Sequence, residues 1–389
     1  MSDTFTETTT KSWFSRVAGS FLGVLFGFLL VLAMIVGLFW NEGRAVTTAR
    51  SLAEGGGAVV SVGSGSVDPA NDGRLVHVSG TVASDETLTD PDFGITATGV
   101  SLVRRAEMYQ WKEERKSETR TKLGGGEETV TTYSYVRGWD DARQDSSGFR
   151  VPAGHENPEM QWRGRTFALD SAQMGAWRLD AGVLGQMGGA EPLSLRPADQ
   201  ATIEAAFGAG AIVSGGRIYL GANPSSPQIG DQRIAYELAP LGPISVIGRQ
   251  QGDGFVPYQT QAGDALLMVD RGTVAAADMF AAAESANTVM TWILRAAGLL
   301  LLAFGFGLIM GPIGVILDVL PFLGSIARMG TGLVAFALAV LVGGMVIAFA
   351  WFWYRPLLAI GIVVAAFAIA WGIGKLGKAR QPAAPAAAA

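Results

Sequence analysis

A chain of 389 residues that is 49% hydrophobic and 16% charged, with a mean hydropathy of +0.30, has the composition of a protein partly dissolved in lipid. Its net charge of −5 and the lack of any dense basic stripe exclude a nucleic-acid binder. The absence of cysteine excludes a disulfide framework and thiolate chemistry.

In chain order, residues 1–16 begin Ser/Thr-rich without apolar periodicity and are predicted to be a disordered segment. Residues 17–40 carry no ionisable side chain and form the first predicted transmembrane helix, because about 20 apolar residues cover the hydrocarbon layer. The run is longer than a signal-peptide core and no small-residue cleavage site follows it, so it reads as an uncleaved anchor. Residues 41–294 are predicted to form a large α+β, strand-rich extramembrane domain. Period-two alternation marks "RLVHVSGTVAS", and two further β-rich runs, "GVSLVRRAEMYQWKEERK" and "TVTTYSYVRGWDDA", flank the turn-forming "LGGGEE" as an antiparallel hairpin. More strands are expected in "SGGRIYLG", "DQRIAYELA", "ISVIGRQQG" and "DALLMVDRG". Helices are expected in "RPADQATIEAAFG" and in "TVAAADMFAAAESANTVMTW", which feeds the second span. Residues 295–317, 329–353 and 356–374 complete four predicted transmembrane helices, and 375–389 is a low-complexity tail. The fold class is thus a multi-pass α-helical membrane protein carrying a strand-rich domain. An even number of spans puts both termini on one side. Lys11, Arg16, Arg328, Lys375, Lys378 and Arg380 outweigh Arg44, Arg50, Arg295 and Arg355, which makes the termini cytoplasmic and the domain external or luminal.

Reactive groups are few. The glycine strings "GGGEETV" and "GAGAIVSGG" lack the Lys-Ser/Thr pair of a phosphate loop and read as turns. His77 alternates with apolar neighbours as a half-buried strand residue; His155 sits in the turn "AGHENPEM" beside Glu156 and Glu159, one ligand short of a zinc site. Asp140, Asp141 and Asp145 lack the spacing of a calcium loop and read as a solvated face. "NEGR" at Asn41 and "NDGR" at Asn71 echo each other too briefly to be a repeat. Nothing ionisable lies deep in the predicted spans, which disfavours coupled transport. Gly23 with Gly27, and Gly307 with Gly311, have the spacing that permits close helix contact, and Trp351, Trp353 and Tyr354 read as an interfacial belt. No catalytic, cofactor-binding or metal residue is predicted, and no cofactor. The domain is expected to bind rather than catalyse. The bilayer, a second copy and a membrane-protein partner are the predicted partners.

The stretches "NEGRAVTTARSLAEG", "NDGRLVHVSG", "DPDFGI", "RRAEMYQWKEE", "TYSYVRGW", "GHENP", "VIGRQQGDGFVPYQTQAGDALLMVDRG", "LRAAG" and "WFWYRPL" occur in this order. Together they resemble the transmembrane protein 43 family, also called LUMA, over nearly the whole chain apart from the tails. The resemblance implies four spans and a large luminal or external domain, with residence in the endoplasmic reticulum and inner nuclear membrane for animal members. It implies a scaffold acting in membrane organisation through self-association and partner binding, with an ion channel or channel subunit as the alternative. An envelope-associated enzyme is a second alternative that needs clustered acid and base residues. The alanine- and glycine-rich composition reads like a bacterial protein, which would place it in an inner membrane.

Overall fold

The computed structural model describes residues 4–214, 216–357, 360–361 and 364. It divides into a strand-rich unit (Met1–Lys11, Ser51–Thr121 and Glu127–Glu284) and a helical unit (Ser12–Arg50, Lys122–Gly126 and Ser285–Ala389).

Two sheets dominate the strand-rich unit among the described residues. The first has eight strands. Its centre is the long hairpin of β4 (Ser101–Thr121) and β5 (Glu127–Asp140), in register from Met108 opposite Asp140 to Thr121 opposite Glu127. Gly124 and Gly125 both take positive φ, +88° and +77°, at the hairpin turn, which a side chain would oppose. The N-terminal strand β1 (Thr4–Lys11) lies antiparallel on the outer edge of β5, from Thr4 opposite Ser134 to Lys11 opposite Glu127. On the other side, β4 pairs with β11 (Gln232–Ala239), followed by β10 (Arg217–Leu220) and β9 (Ala211–Ser214). The short strand β6 (Arg165–Ala168) also pairs with β4, and Glu191–Pro192 pairs with β11.

The second sheet has seven strands. Its path runs β8 (Trp177–Asp180), β7 (Ser171–Met174), β3 (Leu75–Ala83), β12 (Pro243–Gln251) and β13 (Gly254–Val256). Strand β2 (Val60–Gly63) joins β3 in parallel and β14 (Met268–Arg271) joins β12. Along β4 the side chains of Leu102, Arg104, Ala106 and Met108 are buried while their neighbours are less so, the period-two signature of one face turned to a core. Val76, Met174, Trp177, Ile218, Ile234 and Val246 belong to the same core. A smaller cluster sets Leu52 against Met279 and Phe280, with Leu75 and Ile247 from the sheet. Helix α2 (Pro197–Phe207) begins with Pro197 and stops at Gly208, which has φ +60°.

Three long helices follow from the apolar runs: α1 (Trp13–Ala58), α3 (Ala276–Leu317) and α4 (Pro321–Tyr354). Each is long and apolar enough to cross a membrane, and these are the three such helices among the described residues. Phe21, Leu25, Phe28 and Leu32 on α1, like Phe336 and Leu341 on α4, are exposed large apolar side chains, as a lipid-facing surface requires. Within the helical unit Val31 and Leu38 pack with Leu302 and Ala339. Added side chains would collide at these contacts: a Cβ on Gly27 would stand 2.6 Å from the Gly305 carbonyl oxygen, and one on Gly298 would stand 2.6 Å from Leu38.

Several expectations change. Among the described residues three helices are of membrane length, where four spans were expected; most of the fourth predicted span, 356–374, and all of the tail, 375–389, lie outside the described residues. The predicted disordered segment 1–16 contains β1 and the first turn of α1. Threonine is polar but β-branched, so a Thr-rich stretch that looks unstructured by hydropathy suits an edge strand. The two echoing motifs also part: "NEGR" is helical, whereas Asn71 ends the short turn Pro69–Asn71 before β3.

Candidate functional site

The polar residues that bracket the apolar runs converge into two clusters, one at each end of the helical unit. The first is built on "NEGR" at the point where the apolar part of α1 ends. Glu42 is 3% exposed and takes both Arg295 nitrogens, Nε at 2.6 Å and Nη2 at 2.7 Å, while the Trp351 indole N–H donates to it at 2.9 Å. One carboxylate from α1 thereby holds α3 and α4 together. Asn41 donates to the Thr291 carbonyl, and Arg44 donates to the Asn287 amide oxygen at 2.9 Å and to the Thr291 hydroxyl at 3.0 Å. Asn287 returns a bond to the Ala45 carbonyl. Gly43 leaves room for Tyr354, whose ring would lie 2.7 Å from an added Cβ and packs against Phe39 with centroids 5.2 Å apart. Arg50 donates to the Tyr354 carbonyl. Asn41, Glu42, Gly43 and Arg44 each therefore meet a specific partner. Glu42 and Arg44 are 2 residues apart, so carboxylate and guanidinium point to different neighbours.

The second cluster closes the opposite end. Asp318, fully buried, accepts from Arg16 at 2.6 Å and from Arg328 at 2.6 and 2.7 Å. Gly324 sits against it where no side chain would fit. The Trp13 indole donates to the Val315 carbonyl at 3.0 Å. The hairpin turn Lys122–Gly126 completes this end: Arg16 donates to the Gly125 carbonyl at 2.5 Å and the Gly124 N–H to the Val319 carbonyl at 3.2 Å. Both clusters are charge-assisted and bidentate or shared, the geometry that fixes helix register most strongly.

The remaining sequence candidates are dispersed. His77 bonds the Val274 carbonyl at 2.9 Å and the Ser61 hydroxyl at 3.2 Å, as a strand residue tied into its surroundings. His155 lies between Tyr135, stacked at 4.0 Å, and the edge of Trp111, with Nδ1 at 2.9 Å from the Val151 carbonyl. Glu156 turns back to the Gly154 N–H, and Glu159 pairs with Arg143, so neither carboxylate joins His155 in a ligand set. Asp140 pairs with Lys112 at 2.6 Å, a hydrogen bond that holds its carboxyl below the usual range, and Asp145 caps the turn at Ser147. Among the described residues no group of three or more His, Cys, Asp or Glu side chains could hold a metal ion. Of the predicted glycine pairs, Gly27 is used against α3, while among the described residues nothing lies within 4 Å of a Cβ on Gly23, Gly307 or Gly311.

One buried network escaped the sequence. Arg104, 5% exposed, bonds both oxygens of Asp90 and one of Asp92, and Tyr236 donates to Asp90 at 2.7 Å. Burial pulls the guanidinium down, but the hydrogen bond to Asp92 and the charge of Asp90 more than offset it and raise its affinity for the proton. Burial, then the bond to Asp90, drives the Tyr236 hydroxyl far above its ordinary value. The signal was the parity of Arg104, in step with Leu102, Ala106 and Met108 on the inward face.

The model of the family Transmembrane protein 43 matches residues 108–356, a stretch that includes most of the first sheet and all of α3 and α4. Transmembrane protein 43 of Rattus norvegicus is 34% identical over 347 residues, covering 86% of this chain and 85% of its own length. The Homo sapiens protein is 34% identical over 354 residues, covering 88% and 86%, and the Drosophila melanogaster homolog is 30% identical over 360 residues, covering 88% and 91%. These are animal proteins and lend no support to the bacterial source read from composition. No solved structure matches. On the family match and the near full-length identity to these relatives, the chain belongs to the transmembrane protein 43 family.

Proposed function

We propose that this integral membrane protein is a scaffold that organises membrane assemblies by self-association, with its large domain external or luminal and acting by binding. The observation that carries the reading is the division among its membrane glycines. Gly27 is consumed by contact with α3, whereas among the described residues nothing lies within 4 Å of a Cβ placed on Gly23, Gly307 or Gly311. In lipid, association depends on close backbone approach rather than on hydrophobicity, so unfilled glycines on apolar helices favour contact with another helix. A second copy is the first candidate, and a different membrane protein would use the same face. The domain side follows the distribution of Lys and Arg. Binding without catalysis accords with buried carboxylates that already have basic partners: Glu42 with Arg295, Asp318 with Arg16 and Arg328, Asp90 with Arg104.

The test is the oligomer distribution of the full chain in mild detergent. Gly23→Leu combined with Gly307→Leu should shift it toward monomer while leaving insertion intact, because leucine is favourable in lipid. An unchanged distribution would refute self-association through these faces.

A further inference from the structure

We propose that Arg50 and Arg355 bind the phosphate of an anionic phospholipid headgroup at the Glu42 end of the helical unit; the site lies wholly within that unit and is independent of the self-association proposed above. It follows from an imbalance of charge. In the sequence of the helical unit, Glu42 and Asp318 are the only carboxylic side chains. At the Glu42 end stand Arg44, Arg50, Arg295 and Arg355, and Glu42 is taken by Arg295 and the Trp351 indole. The other three guanidiniums have no carboxylate partner among the described residues. Arg44 donates to neutral groups, on Asn287, Asn41 and Thr291. Arg50 donates to the Tyr354 carbonyl at 2.8 Å, which sets its guanidinium beside the backbone of Arg355, and Arg355 lies over the Trp351 ring at 5.8 Å from its centroid. Capping the last turn of α4 in this way uses one N–H of the Arg50 fork; the rest remain for a ligand, and among the described residues no side-chain hydrogen bond occupies those of Arg355. Two such forks are suited to grip one phosphate together.

The depth of the site identifies the source of the phosphate. Asn41 is bonded to the Thr291 carbonyl and Glu42 to the Trp351 indole, which brings Trp40, Trp292 and Trp353, one from each helix, to about one level. These three are 60%, 63% and 65% exposed, as tryptophans are where hydrocarbon meets headgroups. The arginines begin within one turn of that belt. Leu357, two positions after Arg355, is 86% exposed, so a ligand held by Arg355 has apolar surface beside it. Inorganic phosphate would leave that surface bare, whereas a phospholipid covers it with acyl chain while its phosphate meets the arginines. Charge then selects among lipids. The ammonium of phosphatidylcholine cancels its own phosphate, and a headgroup of net negative charge, such as that of phosphatidylglycerol, answers a surplus of guanidinium.

The full chain, delipidated in neutral maltoside micelles and titrated with short-chain phosphatidylglycerol, phosphatidylcholine or inorganic phosphate at matched ionic strength, tests the site through its thermal midpoint, which rises as ligand binds the folded state. Phosphatidylglycerol should raise the midpoint saturably, and the other two should not. Arg355→Gln, which breaks no side-chain hydrogen bond among the described residues, should weaken the apparent affinity for phosphatidylglycerol about fivefold, and Arg50→Gln combined with Arg355→Gln about thirtyfold. The charge-keeping pair Arg50→Lys with Arg355→Lys should retain most of it. Removing two exposed charges elsewhere, by Lys116→Gln with Arg120→Gln, should leave the affinity unchanged. Each variant is read against its own lipid-free midpoint, so a stability cost of the substitution does not enter. An equal rise with phosphatidylcholine reduces the effect to solvation of apolar helices and overturns the proposal. An equal rise with inorganic phosphate overturns the lipid as the source, and an undiminished response in the Gln variants overturns Arg50 and Arg355 as the site.

Discussion

Replacing Glu42 by alanine removes a side chain that binds all three helices at the end of their apolar run. Three donors lose their acceptor at once: two nitrogens of Arg295, whose side chain is 12% exposed, and the Trp351 indole N–H. Breaking a buried ion pair by deleting one partner costs about 3–5 kcal/mol, because the remaining charge stays buried without compensation. The orphaned indole adds about 1–3 kcal/mol if it finds no water. The terms overlap, so about 4–6 kcal/mol is the expected loss, roughly three to four powers of ten in the unfolding equilibrium. Reversible unfolding in mixed micelles, followed by tryptophan fluorescence, would measure it directly. The double replacement Glu42→Leu with Arg295→Leu should recover most of the loss, since an apolar pair of similar volume avoids the desolvation of both charges. An alanine variant within about 1 kcal/mol of the parent, or a double variant no better than the single one, would refute the assignment of Glu42 as the clamp. Lys116→Ala, at the exposed pair with Glu118, serves as the control and should leave stability unchanged.

Three further outcomes follow from named contacts. Gly27→Leu should destabilise the helical unit by about 1–3 kcal/mol in the same assay, because its Cβ meets the Gly305 carbonyl, whereas Gly23→Leu should leave monomer stability unchanged. The hydrogen bonds from Arg196 hold the Asp199 carboxyl below its ordinary value, so the stability it contributes is whole above the ordinary carboxylate range and is lost as pH falls through the lowered one. Thermal scans between about pH 6 and pH 2 should show Asp199→Asn lacking that part of the acid loss. His155→Gln should cost about 1–3 kcal/mol through lost stacking on Tyr135 and an orphaned Val151 carbonyl. Elemental analysis should find no change in bound metal, and one zinc lost on substitution would show His155 to be a ligand.

The helices were legible because membrane insertion is written in a single variable, the distance between charges. The hairpin was legible for a similar reason: "LGGGEE" between two β-rich runs is local turn chemistry, and Gly124 and Gly125 occupy it with the positive φ it demands. What could not be read was pairing at a distance. "NEGR" looks like a surface turn because Asn, Glu, Gly and Arg are all turn or surface residues, and only Arg295, some 250 positions on, makes it a buried clamp. The N-terminal strand failed for the opposite reason. Its polarity is real, but an edge strand needs a register partner rather than a core, and β5 supplies one from 116 or more positions away. Arg104 shows the limit of parity: alternation marks it as inward-facing, but that Asp90 and Asp92 meet it there depends on how the loop 88–97 folds back.

The placement of charge also explains how a bundle with so apolar a middle finds one register. Between Arg16 and Asn41 the contacts of α1 are apolar, among them Val31, Leu38, Phe39 and the close approach of Gly27, and a slide by one turn would exchange one apolar neighbour for another at small cost. At the ends the same slide of about 5.4 Å would carry Glu42 away from Arg295 and Arg16 away from Asp318, leaving buried charges unpaired at both faces. Glycine therefore sets how near the helices come, and the two clusters set where along each other they stop. Because Glu42 is opposed from α3 and α4 together, and Asp318 from α1 and α4 together, no pair of helices can shift without the third. Such a fixed bundle holds glycines that are bare among the described residues, Gly23, Gly307 and Gly311 with them, at defined positions, which is the condition for a second copy to meet the same surface every time.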